Sequence, residues 1–121
     1  MQREKEGRDL RERSKQFALR IIRMYVSLPK TQEAQVLGRQ VLRSGTSPGA
    51  HYREAFRARS PAEFVSKIEG GLQELDETGY WLELLIDSGI ISAKRLAQLK
   101  TEADELTKIF ASIAIRAKKK R

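Results

Sequence analysis

Residues 44–49 read Ser44-Gly45-Thr46-Ser47-Pro48-Gly49. By local rules this is a turn, because serine, glycine and proline cluster where chains usually reverse. The apolar spacing around it says otherwise. Upstream, Ala34, Leu37, Val41 and Ser44 follow a 3-4-3 stripe, and downstream His51, Ala55 and Ala58 continue it in phase. A loop would lose that register. The spacing therefore predicts one helix from a cap at Thr31 to about Arg59, kinked near Pro48. The missing donor and the ring clash of an interior proline cost about 3 kcal/mol. The competing reading starts a fresh helix there, with Ser47 as N-cap and Pro48 at the first helical position.

Working outward, Leu10, Ser14, Phe17, Ile21, Met24 and Leu28 form a 4-3-4-3-4 stripe. This predicts a helix from about Asp9 to Leu28, stopped by Pro29 because residues before proline avoid the α region. Residues 1–8 are expected to fray or add a polar turn. On the other side, Ser60-Pro61-Ala62-Glu63 carries a cap, a proline at N1 and a glutamate at N3, a strong start signal. The third helix follows Val65, Ile68, Leu72, Leu75, Gly79, Leu82 and Ile86 to about Asp87. Gly89 suits the left-handed position after its end. A fourth helix starts near Ser92 and follows Leu96, Leu99, Ala103, Leu106, Phe110, Ile113 and Ala117. Four long amphipathic helices with short connections predict a single all-α domain over 1–121, an antiparallel up-and-down four-helix bundle. Residues 118–121 form a basic tail.

The 121 residues contain no cysteine, which excludes disulfides and thiolate metal sites. No apolar run approaches the roughly 20 residues that span a bilayer. The start, MQREKEGRDLRER, has no apolar stretch of the secretory kind. A cytoplasmic location without membrane attachment is expected.

Net charge is +8 and unevenly placed. Residues 1–60 hold 14 Lys/Arg against 6 Asp/Glu, whereas 61–121 hold 10 of each. Between 61 and 87, Lys67 alone stands against Glu63, Glu69, Glu74, Asp76, Glu77, Glu83 and Asp87. A basic surface attracts polyanions, and an acidic helix beside a basic one equally suits self-association. The candidate nucleic-acid-binding residues are Arg8, Arg11, Lys15 and Arg20 on the first helix and Arg39, Arg43, Arg53, Arg57 and Arg59 on or after the second. Lys118, Lys119 and Lys120 add the tail. The competing reading pairs these arginines with the acidic third helix of a neighbouring copy.

Tyr80-Trp81-Leu82-Glu83-Leu84-Leu85-Ile86 is apolar nearly all round its helix, more than one core seam needs. Tyr80, Trp81, Leu84 and Leu85 are therefore candidates for an oligomer interface. The helical glycines Gly45, Gly49, Gly71 and Gly79 are expected where helices approach closely.

Catalytic patterns are sparse. His51 is the single histidine, and no Glu-x-x-His pair of the di-metal carboxylate bundles occurs. No Walker-type phosphate loop or zinc-protease motif is present. A catalytic triad would have to use His51 with Ser44 or Ser47. His51 is read instead as a satisfied core histidine, the acidic residues of the third helix as a solvated or salt-bridged face, and Arg53 and Glu54 as makers of structural ion pairs or hydrogen bonds at the kink. No catalytic residue, cofactor or small-molecule substrate is expected.

The segment Arg43-Ser44-Gly45-Thr46-Ser47-Pro48-Gly49-Ala50-His51-Tyr52-Arg53-Glu54-Ala55, followed by Arg57-Ala58-Arg59-Ser60, resembles a known hallmark. It is similar to the R-S-G-T-S-hydrophobic-G-A-N-Y-R-E-A and R-A-x-S pattern of the four-helix-bundle proteins named after intervening sequences in 23S ribosomal RNA genes. Asp76-Glu77-Thr78 and Tyr80-Trp81-Leu82-Glu83-Leu84-Leu85 resemble that family's third helix, and the likeness covers about residues 15–117. Ser47, Pro48, Gly49, His51, Tyr52 and Glu54 fall in the motif as structural residues. Pro48 stands where the family has an aliphatic residue and His51 where it has asparagine. The resemblance implies an up-and-down bundle and a homopentameric ring. It also implies kinship with the accessory variability determinant of diversity-generating retroelements, whose basic pentamers bind a reverse transcriptase and nucleic acid. DNA or RNA and a reverse transcriptase are thus expected partners by resemblance. The family's name records gene location and does not speak for RNA binding.

Overall fold

The computed structural model describes the backbone of residues 2–120 and the side chains of residues 9–120. Four helices, and no strand, occur among the described residues: α1 Gln2–Val26, α2 Gln32–Ala55, α3 Pro61–Asp87 and α4 Ala93–Lys119. α1 starts at Gln2, seven residues before the expected Asp9, so the backbone of residues 2–8 continues the helix as added polar turns.

Local chemistry sets the boundaries. Thr31, Ser60 and Ser92 are extended N-caps whose hydroxyls accept from the backbone N–H groups of Ala34, Glu63 and Arg95. Each cap satisfies one of the donors a helix start leaves open. Gly89 takes φ +79° just past α3, where a side chain would be strained. α2 ends at Ala55, four residues short of the expected Arg59. Tight turns follow, with the N–H of Arg57 donating to Glu54 O and that of Ala58 to Ala55 O. Pro61 holds Ser60 extended, so the apolar stripe outlasts the helix that carries it.

Pro48 lies inside α2, and the helix is continuous on both sides of it. The fresh start at Ser47 does not occur. The Thr46 hydroxyl donates to Leu42 O at 2.8 Å and that of Ser47 to Arg43 O at 2.7 Å. These bonds to the preceding turn occupy carbonyls beside the one Pro48 leaves without a donor.

Contacts order the helices. Along α2, Arg43, Ser44, His51 and Glu54 meet Glu77, Thr78, Gly70 and Lys67 of α3, so one sequence ascends as the other descends. Along α1, Ser14, Ile21 and Leu28 meet Gly49, Gly45 and Gly38 of α2 in the same opposed order. α1 packs against α2 and α4, and α3 against the same two, leaving α1 and α3 diagonally opposite. The α1–α4 seam is the thinnest of the four. Phe17, Ile21, Val41, Ile68, Leu75, Leu82, Leu85, Leu106 and Phe110 are essentially fully buried. Each such side chain contributes about 1.5–3 kcal/mol by leaving water.

The α3 core line is rotated slightly from the expected one. Gly71, Thr78 and Leu85 face the centre, while Leu72, Gly79 and Ile86 sit at its edge. At Gly71 an added Cβ would lie 2.6 Å from the Phe110 ring, and at Gly45 one would lie 2.8 Å from Ile21. Those are true close approaches. Gly79 is not one, because nothing lies within 4 Å of its Cβ position.

Candidate functional site

The motif on α2 forms a packing seam. Tyr52 is buried, with its ring 4.9 Å from Phe56 and 5.9 Å from Phe110. Ser44 and Thr78 are fully buried and bonded to each other. Ser47 is spent on the Arg43 carbonyl, so neither serine is bonded to His51. His51 itself is no satisfied core histidine. About a third of its side chain is exposed, and the ring lies over Gly70, whose Cβ position is 3.1 Å away. Its Nδ1 is 3.4 Å from Glu54 Oε1 but too poorly aligned for a hydrogen bond. Glu54 also lies 3.8 Å from Lys67. Arg53, expected to make a structural contact at the kink, forms no ion pair among the described residues and is exposed. Among the described residues no group of three or more metal-ligating side chains converges.

The structure separates the basic residues into two sorts. Arg43 reaches Glu74 and Glu77 of its own α3, each at 3.1 Å. Attraction to Glu74 pushes its guanidinium further above the usual arginine value. Lys118 pairs with Glu69 at 2.5 Å. Arg13 on α1 meets Glu102 on α4 through two nitrogens, at 3.1 and 2.6 Å. That hydrogen bond raises its pKa. The pairing expected between subunits is thus met within one chain at Arg43. By contrast, Arg11, Lys15, Arg39, Arg53, Arg57, Arg59, Lys119 and Lys120 are exposed and in no ion pair among the described residues. Arg20 is half-buried and likewise unpaired. The Arg8 side chain lies outside the described residues.

The outward face of α3 is a clean stripe. Ser66, Glu69, Gln73, Asp76, Tyr80, Glu83 and Asp87 recur at 3-4 spacing and are all exposed, with Tyr80 the large apolar ring in an acidic row. Trp81 leans on Tyr80, centroids 5.2 Å apart, and packs partly against the core with its Nε1–H buried and unbonded. Leu84 is half-buried. Leu85 is corrected from interface to core, because it faces the bundle centre at 0% exposure.

Sequence reasoning missed an apolar stripe on the opposite side. Leu19, Ile22 and Val26 on α1 are 36, 40 and 68% exposed, and their 3-4 spacing aligns them on the outward face above Arg11 and Lys15. The signal was present as a second apolar period beside the core stripe. Two concavities also occur. One, of about 800 Å³, lies beside Tyr52, Phe56, Phe64 and Ile113 with Lys108 and Arg116 at its rim. The other, of about 410 Å³, opens between α1 and α4 beside Arg20, Arg23 and Arg95.

Comparison with known proteins places this geometry. The family model of the 23S rRNA-intervening sequence protein matches residues 8–112. The chain belongs to that family. The chain is also similar to a solved structure, a protein of unknown function from the S23 ribosomal protein family of Bacteroides thetaiotaomicron. It is 39% identical, superposes with a TM-score of 0.83, and the match covers 89% of this chain and 96% of that one. Among curated proteins none matches. Membership fixes the fold and leaves the activity to be argued from the surface. No helix among the described residues is long and apolar enough to cross a membrane.

Proposed function

We propose that this chain is a non-enzymatic assembly module whose copies join head to tail, the outward face of α1 on one meeting the outward face of α3 on the next. The observation that carries this is the exposed Leu19–Ile22–Val26 stripe flanked by Arg11 and Lys15. Diagonally across the bundle lies its complement, Tyr80 within an acidic row. Contiguous exposed apolar surface marks interaction sites, and opposite charge fixes register and orientation. Two different faces in contact make a heterologous interface, which closes into a ring or runs on as a filament. A homopentamer is the closed form the family resemblance implies.

The absence of native cysteine makes the test clean. A double variant, Ile22→Cys with Tyr80→Cys, is treated with a bismaleimide crosslinker and run on a denaturing gel. Head-to-tail contact yields a ladder that stops at the ring size. Single variants should stay monomeric on the same gel. A dimer from Ile22→Cys alone would show a two-fold α1–α1 contact and refute the arrangement.

A second reading, a nucleic-acid-binding accessory protein, is favoured by Arg53, Arg57 and Arg59, exposed and in no ion pair among the described residues. Repeated around a ring, such residues would hold DNA or RNA phosphates without reading sequence. Affinity for labelled oligonucleotides should then fall steeply with salt. Salt-independent or absent binding leaves the purely protein-binding scaffold.

A further inference from the structure

We infer that the cleft between the end of α1 and the start of α4 is a binding site for a phosphate group. Arg20 and Arg23 line it from α1 and Arg95 from α4, with Ser27 and Gln98 between them. No carboxylate lines it, and none of the three arginines is in an ion pair among the described residues. The same seam shows what compensation looks like. Two turns earlier on α1, Arg13 is saturated by Glu102 of α4 and lies 3.8 Å from Glu105. α4 thus offers carboxylates at one end of the seam and a guanidinium at the other.

The start of α4 strengthens the case. A helix N-terminus carries partial positive charge and favours acidic residues in its first turn. α4 has none there and places Lys94 and Arg95 instead. Three guanidiniums line one cleft beside a helix start that has no acidic residue in its first turn, and no carboxylate among the described residues pairs with them. Natural chains break such local rules chiefly at functional or strained sites. A phosphate oxyanion supplies the missing charge and accepts from the planar arginine forks. The cleft floor, Met24, Leu96 and Leu99, is nearly buried, so the open surface is chiefly polar and suits a compact anion. All of these residues belong to one chain, and the site does not depend on the assembly proposed above.

Two sources share this chemistry, a small phosphorylated molecule and a nucleic-acid backbone. The full chain, labelled with nitrogen-15, is titrated at low salt with inorganic pyrophosphate and separately with a short single-stranded RNA. The arginine side-chain N–H resonances are followed. Pyrophosphate shifting those of Arg20, Arg23 and Arg95 identifies a small-anion site. RNA shifting the same set identifies a backbone site, and its salt dependence should flatten by about one power per contact removed. In either case Arg20→Ala with Arg95→Ala weakens binding about tenfold or more, whereas Lys67→Ala on α3 leaves it unchanged. If neither ligand moves those resonances, or if the double variant binds as the native chain does, the proposal is overturned. The native-chain titration decides the matter even should the variant fold poorly.

Discussion

The Thr78 hydroxyl of α3 and the Ser44 hydroxyl of α2 are hydrogen-bonded at 2.9 Å, and both side chains are fully buried. Thr78 donates its one proton to the Glu74 carbonyl at 2.8 Å, so it accepts from Ser44. A buried hydroxyl without a partner costs about 1–3 kcal/mol, whereas replacing both partners by apolar groups of similar shape is nearly neutral. Thr78→Val should therefore destabilise by about 1–2 kcal/mol in urea unfolding. Adding Ser44→Ala should recover much of the loss. Strictly additive losses would show that the bond itself carries little.

Two glycines on one helix should respond in opposite directions. Gly71→Ala drives a methyl group to 2.6 Å from the Phe110 ring. Over-packing of this kind costs about 1–3 kcal/mol. Gly79→Ala meets nothing within 4 Å, so helix propensity governs and stability should rise by about 0.5–1 kcal/mol. Thermal midpoints of the two variants, one lowered and one raised, test the packing of α3.

Leu84 and Leu85 should separate core from surface. Leu85 is fully buried, and Leu85→Ala should cost about 2–5 kcal/mol. Leu84 is half-buried, and its alanine variant should lose much less. Equal losses would place both in the core.

What could be read from the sequence was what neighbours along the chain decide. Thr31, Ser60 and Gly89 act within one turn of themselves and occupy the expected positions, and the fourth helix is capped at Ser92, near which its start was expected. The α2 stripe held its phase through Pro48 because its inner face is buried on both sides of that residue. What escaped were angular and cross-chain facts. A heptad-like period leaves the face centre uncertain by one position, which is why the expected stripe ran through Gly79 and Ile86 while Thr78 and Leu85 face the centre. Arg43 could have faced either its own α3 or a neighbour's until the helices were placed. Arg23 and Arg95 are 72 positions apart and share a cleft only once α1 lies against α4.

Arg43 and Arg57 should divide stability from binding. Arg43→Ala breaks contacts to Glu74 and Glu77, but its side chain is half exposed, so the loss should stay within about 1 kcal/mol. It should barely alter oligonucleotide affinity. Arg57→Ala should leave the unfolding midpoint unchanged and weaken oligonucleotide binding if the nucleic-acid reading holds. Unfolding curves beside anisotropy titrations check both.

The central claim is assembly through the outward face of α1, and the most direct test is the light-scattering mass of the native chain beside Ile22→Asp. A change at this exposed position should alter folding stability by no more than about 0.5 kcal/mol. The account predicts a native oligomer, and an Ile22→Asp variant that is folded but has the mass of a single chain. A native protein of single-chain mass at every concentration, or an Ile22→Asp variant that assembles unchanged, would contradict it.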